Sequence, residues 1–184
     1  ISTSGYPYHV GTYGNLLAVT MPDHHKVQVF DKNGTLLTTM GGSAGAQEGK
    51  FHHNYGSAFN DSGKIHVSCR NNHRIQYFEH NGTYLGKIGN YGSSNVEPYD
   101  FAVTQQNTYL VADTQGDRIL EFDENGSAVR VFGSRGNLDG QMNDPRSIAI
   151  HNDVIYVADS SNHRIQAFDR NGTFLFKIGG NGNG

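Results

Sequence analysis

One string recurs four times along the chain, and this repetition constrains the fold more than any other feature. It reads "HHKVQVFDKNGTLLTTMG" from His24, "NHRIQYFEHNGTYLGKIG" from Asn72, "GDRILEFDENGSAVRVFG" from Gly116 and "NHRIQAFDRNGTFLFKIG" from Asn162. The copies align without a gap, and His25, His73, Asp117 and His163 stand 48, 44 and 46 residues apart. A period in the forties built of short β-branched and aromatic runs points to propeller blades, because each repeat can bury its apolar faces only against the next.

Within the last copy, "DVIYVAD" from Asp153, "HRIQAFD" from His163 and "TFLFKIG" from Thr173 read as strands separated by polar turns. A fourth strand precedes them, "RSIAIH" from Arg146, matched by "YHVGTY" from Tyr8, "YGSAFN" from Tyr55 and "YDFAVT" from Tyr99. Each copy is thus a four-stranded antiparallel meander, a to d. The expectation is an all-β propeller of four blades, spanning approximately 5–42, 53–90, 98–134 and 145–180 of a single domain, 1–184. Apolar residues on both faces of a strand, as in "TFLFKI", suit a sheet packed between two others. A hydrophobic content of 35% with 24 glycines suits such a turn-rich chain.

Between strands c and d lie Asn33-Gly34, Asn81-Gly82, Asn125-Gly126 and Asn171-Gly172. Asn-Gly favours two-residue type I′ hairpins, in which both central residues take positive φ. Turn geometry therefore accounts for the N-x-[ST] motifs at these positions without glycosylation, and the same reading covers Asn60. Between strands b and c only a cation persists, as Lys26, Arg74, Arg118 and Arg164. Asp113 and Asp159 close strand b in the third and fourth copies and can pair with it, whereas Met21 and Cys69 hold that position in the first two. A salt-bridged or solvated turn is the simplest role for these cations.

The phrases "NHRIQ", "YVAD", "FDxNG" and "GSRGNLDGQMNDP" closely resemble the NHL repeat, over essentially the whole chain. The resemblance implies a β-propeller and, through its likeness to the C-terminal propellers of tripartite-motif ubiquitin ligases, recognition of protein or RNA. The family also includes bacterial sensor domains and a peptide-amidating lyase whose metal ligands are histidines. That lyase's motif has no residue-by-residue match here, so no catalytic or metal-binding residue is carried over. NHL propellers generally have six blades, and this chain holds four.

In a propeller the b-to-c and d-to-a loops share a rim. This would gather Lys26, Arg70, Arg74, Arg118, Arg135, Arg146 and Arg164, with Tyr55 and Tyr99 as the aromatic part of a ligand-binding rim; Tyr6, Tyr8 and Tyr91 fall in or near the same linkers. Basic groups interleaved with aromatics suit unpaired bases. Asp23, Glu48, Glu97, Asp117, Asp139 and Asp144 dilute the field, and the net charge is −3, which favours a protein or peptide ligand over RNA. Catalysis ranks behind binding: the pairs His24-His25 and His52-His53 would point to opposite sides if they lay in strands, no nucleophile elbow or phosphate loop is present, and no cofactor is implied. A metal-dependent lyase or lactonase-like enzyme, and a structural fragment without a ligand, are the remaining alternatives.

No stretch is long and apolar enough for a membrane span, the start "ISTSGYP" has no signal-peptide character, and Cys69 is alone, so a cytoplasmic location is expected. The tail "GGNGNG" and the head "ISTSGYP" resemble two halves of a d-to-a linker. Whole blades at both ends would bare Val10, Leu17, Phe168, Leu175 and Ile178. A head-to-tail homodimer of eight blades would cover them.

Overall fold

A computed structural model describes residues 5–89 and 96–180. The chain folds as an all-β, four-blade propeller of four-stranded antiparallel sheets. Blade one comprises β1 (His9–Tyr13), β2 (Leu16–Met21), β3 (Lys26–Asp31) and β4 (Leu36–Gly41). Blade two comprises β5 (Ser57–Phe59), β6 (Ile65–Cys69), β7 (Arg74–Phe78) and β8 (Tyr84–Ile88). Blade three comprises β9 (Pro98–Val103), β10 (Tyr109–Asp113), β11 (Arg118–Phe122) and β12 (Ala128–Phe132). Blade four comprises β13 (Pro145–His151), β14 (Val154–Asp159), β15 (Arg164–Phe168) and β16 (Phe174–Gly179). Each is a meander in sequence order, the a, b, c, d pattern expected from the repeats.

The chain divides into two compact units of two blades, Ile1–Gly92 and Ser93–Gly184. Unit one packs around Val27, Phe51, Val67 and Phe78, and unit two around Ile119, Met142, Val157 and Phe168. The side chains Phe51 and Met142, both fully buried, are the anchors of the linkers that enter blades two and four. Phe168 is likewise buried in unit two rather than bared at an end face, whereas Val10, Leu175 and Ile178 are exposed and Leu17 is half-buried.

The c-to-d turns differ from the expected type I′. Gly34, Gly82, Gly126 and Gly172 have positive φ, from 83° to 90°, but the asparagines before them do not. In blade one the Gly34 N–H donates to the Asp31 carbonyl and the Asp31 N–H to the Thr35 carbonyl. This is a three-residue loop, a type I turn closed by a left-handed glycine, and the ladder shifts register beside it between Val29 and Phe30. The Asp31 carboxylate stabilises the turn by accepting from the N–H groups of Asn33 (2.9 Å) and Thr35 (2.8 Å). Asp123 and Asp169 do the same in blades three and four. These bonds hold the Asp31 and Asp169 carboxyls below the usual range, the Thr35 and Thr173 N–H groups contributing most. A type I′ loop does occur, between β13 and β14, where Asn152 and Asp153 both take positive φ.

Candidate binding surface

The b-to-c turns place the recurring motif. His25, His73, Asp117 and His163 all sit in the left-handed conformation, with φ from 51° to 54°. In blades one, two and four this residue ends a short 3-10 turn, and its N–H donates three residues back, to Pro22, Arg70 and Ser160. A strained conformation repeated in every blade belongs to the turn rather than to a ligand.

The next residue, the cation, begins strand c, and in blades two and four it turns inward. Arg74 donates from Nη1 to the Ala46 carbonyl (2.7 Å) and from Nη2 to those of Gln47 (2.7 Å) and Lys50 (3.2 Å). Arg164 donates to the carbonyls of Asn137 (3.0 Å), Leu138 (2.8 Å) and Gln141 (2.8 Å). Two residues before and two after, on the same side, the grip is completed. The Asn72 and Asn162 amides donate to the Gly45 and Gly136 carbonyls. Gln76 donates to Lys50 and accepts from the Gly49 N–H, and Gln166 does the same with Gln141 and Gly140. The letters N, R and Q of "NHRIQ" are therefore a clamp on the incoming linker. Arg74 and Arg164 are buried and are not available as rim ligands, because both terminal nitrogens of each are directed at linker carbonyls.

The remaining rim residues are engaged to differing degrees. Lys26 is buried and Arg70 half-buried. Arg118 binds Asp113 through Nε at 3.0 Å, as the sequence suggested, and Arg164 binds Asp159 at 2.7 Å. Arg146 pairs with Asp144 at 2.6 Å and lies 5.7 Å from the Tyr99 ring centroid. Arg135 is the most exposed, 3.8 Å from Asp117. Tyr99 is buried, so it is packing rather than a stacking platform; Tyr55 is half-buried between Tyr8 and His53, while Tyr6 and Tyr8 are exposed. Tyr91 lies outside the described residues.

The histidine pairs lie in turns and linkers rather than strands, so the expected alternation of sides does not apply. His25, His52 and His53 converge with ring centroids 5.3 to 5.5 Å apart. Burial, then the neighbouring His53 and His52, holds the His25 imidazole below its ordinary range. Among the described residues no three of His, Cys, Asp or Glu are set to hold a metal ion. Burial pushes the Cys69 thiol up to about 11, which makes it a poor nucleophile at neutral pH. Unit two also contains an open cleft of about 470 Å3 between its blades, a feature with no signature in the sequence motifs.

The class is a four-blade propeller, and residues 142–168, within blade four and the linker before it, match the family model of the NHL repeat. No curated protein matches the chain. Among solved structures it resembles a streptogramin B lyase (TM-score 0.71, 14% identity), covering 96% of this chain and 55% of the lyase. A catalytically inactive virginiamycin B lyase from Staphylococcus aureus with quinupristin gives a TM-score of 0.73 at 14% identity, over 96% of this chain and 56% of that one. The computationally designed Ika4 protein gives 0.63 at 12% identity, over 91% of this chain and 93% of Ika4. This chain thus spans little more than half of either lyase, and at such identities the likeness is one of fold. Among the described residues no helix is long and apolar enough to cross a membrane.

Proposed function

We propose that this propeller is a non-catalytic recognition module for a polypeptide, needing no cofactor. The observation that carries this reading is the engagement of the rim cations. Arg74 and Arg164 are spent on linker carbonyls, and Arg118, Arg135 and Arg146 each face a carboxylate. A phosphate backbone needs several uncompensated cations, whereas a polypeptide suits paired charges beside exposed aromatics such as Tyr6 and Tyr8. The resemblance to tripartite-motif propellers accords with target recognition in a ubiquitin ligase-like protein, and a buried, reduced Cys69 accords with the cytoplasm.

Parallel selections from a peptide display library and an RNA pool test this. Enrichment of peptides alone is expected; enrichment of RNA alone would overturn it. The exposed apolar residues Val10 in blade one and Ile165, Leu175 and Ile178 in blade four further support a homodimer that covers them. Sedimentation should return twice the 20.2 kDa chain mass, and a single 20.2 kDa species at all concentrations would remove the dimer.

A further inference from the structure

The cleft of unit two lies at the rim that carries the a-to-b turns. Its aliphatic lining includes Val103, Leu110, Ile150 and Ile155, and its polar wall is the ion pair of Glu121 with the Arg130 Nε. The Thr108 hydroxyl also donates to Glu121. Arg130 lies 5.6 Å from the Phe132 ring centroid, and its terminal nitrogens have no hydrogen-bond acceptor among the described residues. At the mouth Arg170 donates to Gln106 and stands 3.8 Å from Asp153. Two guanidiniums and two carboxylates balance, so the cleft suits a ligand that is neutral where it enters.

Unit one shows what fills this position when the chain supplies its own occupant. Tyr13, at the place Thr104 holds in unit two, stacks on Phe59 with centroids 5.9 Å apart, and its hydroxyl donates to the Asp61 carbonyl at 3.1 Å. The repeats put Val29 and Thr38 where unit two has Glu121 and Arg130. Unit two therefore lacks the phenol and carries instead a polar pair able to receive one.

We infer that the unit-two cleft is a subsite for a tyrosine side chain of a partner polypeptide. The ring lies on the aliphatic lining, the phenol hydroxyl donates to Glu121, and its oxygen accepts from a terminal nitrogen of Arg130. Phenylalanine leaves the terminal nitrogens of Arg130 unmet, and phosphotyrosine brings net negative charge into a cleft whose own charges already pair. The inference rests on the polypeptide-recognition reading.

The test titrates N-acetyl-L-tyrosinamide into isotope-labelled protein and follows amide chemical shifts. Shifts at 103–106 and 150–153 are expected, with the phenylalanine analogue about tenfold weaker and the phosphotyrosine analogue weaker still. Thr104→Tyr, which copies the occupant of unit one, should abolish them in a protein whose other shifts are unchanged. Glu121→Val, which copies Val29 of unit one and removes the acceptor, should bring the tyrosine probe down to the phenylalanine level, which keeps the test decisive if Thr104→Tyr fails to fold. Shifts that survive these changes, or equal shifts from the phenylalanine analogue, acetate or glucose, would overturn the subsite. If selected peptides bind but perturb only other surfaces, the subsite fails while polypeptide recognition stands.

Discussion

Blades two and four hold their linkers with the same Asn, Arg and Gln, but what lies beneath the arginine differs. In blade four the fully buried Asp159 accepts from Arg164 Nε (2.7 Å), from the Asn162 and Gln166 amides and from the Asn143 N–H. In blade two Cys69 occupies that position, taking one long bond from Gln76 at 3.4 Å, and Arg74 Nε is buried with no hydrogen-bond partner. The linker carbonyls are therefore sufficient to place an arginine, and the carboxylate adds charge compensation. The clamp is the shared element, and the ion pair is an addition to one copy.

The largest test of this comparison is Asp159→Ala. It takes away the buried carboxylate beneath Arg164 and leaves only the half-exposed Asp139 at 3.8 Å, so chemical denaturation should show a loss of about 3 kcal/mol. Cys69→Ala, which removes no charge, should cost clearly less; equal losses would refute the distinction between the two clamps.

Acid separates the units next. His66 of unit one is buried and its imidazole is pushed down to about 4, burial being the main cause. The unfolded chain takes up a proton near pH 6.5 while the folded chain does not, so stability falls as pH drops from 6.5 to 4, by roughly 3 kcal/mol in total. The position of His66 in the repeats holds Leu110 and Tyr156 in unit two, so hydrogen exchange should accelerate in unit one first. His66→Leu should remove most of that slope and leave the part that His25 of the same unit contributes, and an unchanged slope would assign it elsewhere.

Gly172→Val should cost about 1–3 kcal/mol, since valine there must adopt a φ of +83° and its Cβ would lie 2.7 Å from the Phe132 ring. Gly49→Val is the control, with positive φ and open space, and should cost less in thermal melts. The smallest expected effect sharpens the opening contrast: Cys69→Asp supplies Arg74 with the carboxylate that Arg164 already has, for a gain of about 1 kcal/mol at neutral pH. A loss would show that desolvation outweighs the new pair.

The four meanders and the positions of their turns were legible in the sequence, because strand periodicity and Asn-Gly pairs are local signals. The turn type was not, since Asp31, Asp123 and Asp169 bind the loop from its first position and relieve asparagine of any need for positive φ. Arg74 and Arg164 misled as rim residues because their acceptors are backbone carbonyls 23 to 28 residues away, and carbonyls have no residue signature. One signal was present. Full Asn-x-Arg-x-Gln occurs only in blades two and four, the two preceded by the long glycine-bearing linkers at 42–51 and 133–142. The cleft had no signal in the motifs, because its lining is drawn from both blades of unit two, from Val103 to Arg170, and only the fold brings those residues together.

The linker clamp also bears on how the chain can be cut and joined. A blade whose third strand grips the segment arriving from the blade before it is incomplete alone, so the smallest interchangeable module is a pair. Severing the chain within 42–51 or 133–142 would detach a clamp from its quarry and should melt the second blade of that pair. Gene duplication and circular permutation should therefore spare those two linkers and keep each clamp with the segment it holds.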